Sequence, residues 1–191
     1  MADDPAIEHY IRAHRLRPIE LLPWLVAVLG YFEFADYLPL GSQILIMILF
    51  ALSLDLVLGY AGIVTLGHAA FFGVGAYAAG IYAVHVSGEP LSGLLVGALA
   101  AAVVGLASGA VILRTTGLTL LMLTLAVTSL LSAAANDAGF ITGGNDGLQG
   151  VAIDPILGAF GFDMFGRTAY LYCLAVLFAA WLFVRRLVHS P

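Results

Sequence analysis

The sequence predicts an all-α fold, a polytopic bundle of about six transmembrane helices with both termini in the cytoplasm. Composition, hydropathy and run length predict it. The 191-residue chain is 62% hydrophobic and only 10% charged, whereas soluble domains are about 45–50% apolar and about 25% charged. Its mean hydropathy is +1.03. The apolar residues gather into six runs, at 19–38, 43–60, 66–86, 91–113, 118–135 and 168–184. At 1.5 Å per residue, about 18–21 helical residues cover roughly 27–31 Å, one hydrocarbon thickness.

The N-terminal segment 1–18, MADDPAIEHYIRAHRLRP, carries Asp3, Asp4 and Glu8 ahead of three arginines. That is not the basic start and small-residue cleavage site of a signal peptide, and it reads as a cytoplasmic tail before a membrane domain over 19–191. The run at 19–38 is the weakest of the six, because Glu20, Pro23, Glu33 and Asp36 crowd its ends. It admits a short span or an interfacial helix.

The next two runs carry the most informative residues. From 52 to 79 the chain reads LSLDLVLGYAGIVTLGHAAFFGVGAYAA, apolar enough for lipid yet holding Gly59, Gly62, Gly67, Gly73 and Gly75 with Asp55, Thr65 and His68 among them. Glycine in a membrane segment permits close backbone approach or a bend, and the freed carbonyls must then face protein or water. A charge at the helix centre costs roughly 2.5–3.5 kcal/mol, so polar groups at depth mark an interior or a pathway. Asp55, Gly59, Gly62, Gly67, His68, Gly73 and Gly75 are assigned to a substrate path or to conformational change. Asp55 has two readings, a contact for a proton or polar substrate, or a packing residue capping freed backbone near Gly59. Thr65 and His68 suit a helix start, where exposed amides need acceptors.

In the fourth run, Gly93, Gly97, Ala101, Gly105 and Gly109 recur every four residues. Such a row forms a groove suited to close helix packing. The fifth run leads into a long loop, 136–167, which contains FITGGNDGLQGV. Loops beyond about 12–15 residues tend to be functional or disordered, and the apolar content here argues against disorder. Thr142, Gly143, Gly144, Asp146 and Gly147 are assigned to shaping a structured, partly re-entrant element at the outer face, since glycine and Asn/Asp tolerate positive φ. The last run contains Cys173, the single cysteine, which forms no intrachain disulfide and reads as a small core hydrophobe.

Arginine placement orients the bundle. With a cytoplasmic tail, Arg12, Arg15, Arg17, Arg114, Arg185 and Arg186 fall inside and only Arg167 outside, as the positive-inside rule requires with one exception. All seven basic residues are arginine, so a P-loop, which needs lysine, is excluded; any nucleotide that drives the protein binds another subunit. The net charge of −5 sits in caps and loops rather than in a patch, and nothing points to nucleic acid. No metal set is expected around His68, because no further ligands lie at suitable spacing. An intramembrane hydrolase would need a G-x-S-x-G or a carboxylate paired with Asp55, and the sequence has neither. Ser53, Ser108 and Ser129 read as ordinary helix residues.

The run LDLVLGYAGIVTLGHAAFFGVGAYAA, followed after the fifth span by ITGGNDGLQGV, resembles the inner-membrane permease subunits of bacterial branched-chain amino acid ABC importers, a group that also serves urea and short amides. The segment LRTTGLTLLMLTLA between them is a looser match, and the resemblance covers roughly 40–191. It implies alternating access without covalent chemistry or cofactor in the membrane subunit. The implied partners are a second permease subunit, cytoplasmic ATP-binding subunits, a periplasmic solute-binding protein and membrane lipid. Such permeases usually continue well past the position of Pro191, so the chain reads as the first part of one. The family position of Asp55 is often asparagine, which favours the packing role. A passive channel or an assembly scaffold without energy coupling is the alternative.

Overall fold

A computed structural model describes residues 18–33 and 35–188. Regular structure among them is helical, with a single isolated extended pairing between Ile156 and Phe160. In chain order the α-helices are α1 (Pro18–Glu33), α2 (Leu38–Asp55), α3 (His68–His85), α4 (Pro90–Ile112), α5 (Leu118–Asp137), α6 (Gly139–Thr142) and α7 (Arg167–Val188). Short 3-10 turns occupy Ala35–Tyr37 and Gly144–Asp146, and a π-turn at Leu56–Tyr60 extends α2.

Four of these helices are long and apolar enough to cross a membrane: Leu38–Tyr60, Pro90–Ile112, Leu118–Asp137 and Arg167–Val188. Two of the six expected runs fall outside that group. The first ends at Glu33 rather than continuing to Leu38, and its apolar part, Leu22–Glu33, is shorter. The third becomes the 18-residue helix α3, whose histidines, tyrosines and glycines dilute its apolar character. The second begins five residues before the expected 43, because Leu38 and Pro39 enter the first turn, where proline gives up no helical hydrogen bond. Residues 1–17 of the N-terminal tail lie outside the described residues. Large apolar side chains stay exposed along the helices; on α4, Leu95, Leu99, Val103 and Leu106 are each at least 65% exposed. Exposed apolar surface on this scale demands lipid or protein around it, and the chain is a multi-pass membrane protein.

The chain divides into two compact units, one formed by residues up to Ser53 and from Asp163, the other by Leu54–Phe162. The first unit packs around Leu38, Leu45, Tyr170 and Leu177, with Trp24, Tyr31, Leu49, Cys173 and Leu174 against them. Tyr170 reaches across from α7 to donate its hydroxyl hydrogen bond to the Ala27 carbonyl at 2.8 Å, so the phenol is satisfied while its ring fills the core.

In the second unit α3 and α4 are the most closely packed pair. Their hairpin turns at Gly88–Glu89, where Glu89 caps α4 by accepting the Ser92 backbone N–H at 2.7 Å. That bond holds the Glu89 carboxyl below the usual carboxylate range. Pro90 follows at the first helical position, where its missing N–H costs nothing. Asp154, from the long α6–α7 connection, clamps the hairpin: its N–H donates to the Gly88 carbonyl at 2.9 Å, and its carboxylate accepts from the Gly88 N–H at 3.0 Å.

Candidate functional site

The site assembles in the second unit from α3, α5, α6 and the irregular segment between α2 and α3. That segment begins where the π-turn at the end of α2 closes, with the Ala61 N–H donating to Leu56 O and the Ile63 N–H to Val57 O, both at 3.1 Å. Single π-turns in α-helices often mark functional positions. Gly62 follows at φ +65°, and residues 61–67 are not helical. Their polar backbone is met by side-chain hydroxyls. The Leu66 N–H donates to Thr124 Oγ1 at 3.2 Å and the Gly67 N–H to Thr65 Oγ1 at 3.0 Å. Thr124 is 2% exposed, and its hydroxyl both accepts and donates, since it also donates to Leu121 O at 2.9 Å. Thr124 stands six residues past the start of α5, or about 9 Å along its axis. Non-helical backbone so far along a spanning helix is tolerated only where protein or water satisfies it.

Beyond Gly67, α3 runs beside α5 and the two leave a groove of about 570 Å³. Ala70, Gly73, Tyr77 and Ile81 line one wall; Thr128, Leu131, Ser132 and Asn136 line the other; Thr142 of α6 stands at one end. Among the described residues no charged side chain lines it. The groove therefore offers hydroxyl, phenol and amide groups on an otherwise aliphatic surface. That suits a solute with a polar head and a small apolar body, whose charges, if any, balance within itself.

The end of the groove is built by the TGGNDGL turn. Thr142 donates to the carbonyls of Ala135 and Ala138, at 2.5 and 3.0 Å, and accepts from the Gly144 N–H at 3.2 Å. Gly143 then closes α6 in the left-handed conformation, φ +81°, and a side chain there would strike the Gly147 carbonyl. Only glycine fits that position. Gly144 and Gly147 also have positive φ. Leu148 lies over Gly80 of α3, its Cδ2 2.6 Å from where a Cβ would be. Asp146 is exposed, and its carbonyl accepts from Gln149 Nε2 at 3.1 Å.

The residues singled out in the sequence are distributed unevenly. Gly67 is buried against α5, where a Cβ would sit 3.0 Å from Thr124 O and 3.2 Å from Thr128 Oγ1. Gly73 faces the groove, with no atom within 4 Å of a Cβ position. Gly75 lies at the α3–α4 crossing against Gly97 and Ala101. His68 is half-buried at the start of α3. Asp55 and Gly59 are exposed and do not line the groove; the carboxylate lies over Gly59 and makes no capping hydrogen bond to the π-turn. In the small-residue row of α4, Gly97 meets the Gly75 carbonyl, whereas Cβ atoms at Gly93, Gly105 and Gly109 would meet nothing within 4 Å. Ser53, Ser108 and Ser129 each donate to a carbonyl of their own helix. Among the described residues no three His, Cys, Asp or Glu side chains gather into a metal site.

Sequence reasoning missed Tyr77, Thr124, Thr128, Ser132 and Asn136. A signal was present: Thr124, Thr128, Ser132 and Asn136 recur every four residues through an otherwise apolar helix, and i, i+4 spacing places them on one face. Thr124 and Thr128 meet Gly67, and Thr128, Ser132 and Asn136 line the groove.

No curated protein and no solved structure matches the chain. A family model described as the branched-chain amino acid transport system permease component matches residues 38–190, that is, from the first residue of α2 to beyond the end of α7. With apolar spanning helices, a broken α2–α3 connection and an uncharged polar groove inside the matched region, the chain belongs to the branched-chain amino acid transport permease family.

Proposed function

We propose that the chain is the membrane permease subunit of an ATP-driven importer for branched-chain amino acids or related small solutes such as urea and short amides. The observation that carries this reading is the uncharged groove between α3 and α5, with Tyr77, Ser132 and Asn136 set among aliphatic residues. The broken α2–α3 connection supplies the element that moves, since a non-helical segment held by two threonine hydroxyls can exchange partners between states at small cost. Solute and partners then act by binding the inward- and outward-open states unequally. ATP hydrolysis belongs to cytoplasmic subunits, delivery to a periplasmic solute-binding protein, and the path to a pair of permease subunits in the bacterial inner membrane.

Topology follows the arginines. Arg114, between α4 and α5, and Arg185 and Arg186, at the end of α7, lie on the cytoplasmic side in this reading. The Gly88–Asp154 clamp supports it, because it ties the α3–α4 turn to the α6–α7 connection, the two segments that would face outward together.

The test is uptake of radiolabelled leucine into proteoliposomes holding the chain with its ATPase and binding-protein partners. Gly73→Leu has room for its Cβ, so the variant inserts normally while its side chain fills the groove. Uptake is expected to be lost. Leucine uptake at the parent rate would overturn the path, and ATP-independent equilibration by the parent protein would replace the importer with a channel.

A further inference from the structure

Helices α1, α2 and α7 of the first unit leave an apolar slot of about 290 Å³, lined by Trp24, Ala27, Ile48, Leu174, Leu177 and Trp181 among others. Its two tryptophans belong to an aromatic cluster. The Trp24 ring meets Phe178 edge-on at 4.9 Å and Trp181 at 5.7 Å. One turn further along α7, the Arg185 guanidinium stands 5.4 Å from the centroid of the Trp181 ring. Arg186 follows it and is exposed. In a chain with a net charge of −5, Arg185 sets a positive charge against a residue that lines this apolar slot.

We propose that the slot holds an acyl chain of an anionic phospholipid whose phosphate is bound by Arg185 and Arg186. The lining is hydrocarbon apart from the indole N–H groups, so it suits methylenes and offers little to a polar ligand. It is too small for a helix. Tryptophan belongs at the level of lipid headgroups, and basic pockets between membrane helices bind anionic headgroups. A guanidinium has five N–H donors in a planar fork, so Arg185 can stack on Trp181 and still address phosphate oxygens. The site lies within one unit, and it stands or falls independently of the transport reading.

Trp24 and Trp181 are the only tryptophans, and both line the slot, so intrinsic fluorescence reports on it directly. The purified full chain is titrated with phosphatidylglycerol or phosphatidylcholine carrying brominated acyl chains, which quench indole on contact. Brominated phosphatidylglycerol is expected to quench at about fivefold lower mole fraction per arginine engaged. In the double variant Arg185→Gln/Arg186→Gln the two lipids quench alike, whereas Arg185→Lys/Arg186→Lys keeps most of the preference. Ala27→Leu, which fills the slot and leaves both arginines, weakens quenching by both lipids. Equal quenching of the parent chain by the two lipids would overturn the proposal, as would a preference that survives removal of both charges.

Discussion

Replacing Gly97 by alanine separates the geometry of the α3–α4 crossing from the small-residue pattern that the sequence displays. A Cβ there would lie 2.7 Å from the Gly75 carbonyl oxygen and 3.3 Å from Ala79 Cβ. The first neighbour is backbone, so no rotamer change relieves it. Carbon contacts are optimal at about 3.5–4.0 Å, so the helices must part by roughly 0.5–1 Å, which forfeits a quarter to a half of the dispersion attraction along the seam. Overpacking of this kind costs about 1–3 kcal/mol. Gly105→Ala, eight residues along the same helix, has nothing within 4 Å of its new Cβ. It therefore collects only the intrinsic gain of about 1 kcal/mol for alanine over glycine in a helix. Both variants share that gain, so their difference isolates the clash. Steric-trap unfolding in bicelles should rank Gly105→Ala above the parent, with Gly97→Ala about 1–3 kcal/mol below Gly105→Ala. Equal stabilities would refute the assignment of the crossing to Gly97.

Two further outcomes follow from the hydrogen bonds. Thr124→Val keeps the volume but takes away the acceptor of the Leu66 N–H. It should destabilise the protein by about 1 kcal/mol and speed amide exchange across 61–67, while Thr124→Ser retains both; unchanged exchange in the valine variant would remove the anchoring role. Glu89 titrates below the ordinary carboxylate range because it accepts the Ser92 N–H. Its contribution to the start of α4 is therefore present above the unfolded carboxylate pKa and disappears as pH falls through the lower, folded value. Amide exchange at Ser92 should accelerate over that acid window in the parent chain and show no such step in Glu89→Gln.

Much of the architecture was legible in the chain itself. Helix type and membrane residence follow from long apolar runs, since a span must satisfy its own backbone and cover itself with hydrocarbon. The 90–112 and 118–137 helices were foreseen within two residues because their ends are punctuated, by Glu89-Pro90 and by Gly117. The first helix was not, because Glu33 ends its apolar run five residues short of Leu38, which begins the next helix. The TGGNDGL turn was recognisable for a local reason: the positive φ at Gly143, Gly144 and Gly147 is a property of single residues. The groove was harder to see. Its polar row at Thr124, Thr128, Ser132 and Asn136 has helical spacing, but serine and threonine in apolar helices commonly bond back to their own carbonyls, as Thr128 does to Thr124.

The sequence by itself determined that this is a helical, membrane-embedded chain with polar, glycine-rich backbone between its second and third runs. Those properties are sums over a segment, and composition reports sums. Only the tertiary structure decided which glycine of a repeating row meets a neighbour, which threonine receives the broken segment, and which face of α3 opens on the groove. Each of these depends on where a second helix lies to within an ångström, and short-range repulsion and hydrogen bonding change over that distance while a periodic pattern does not.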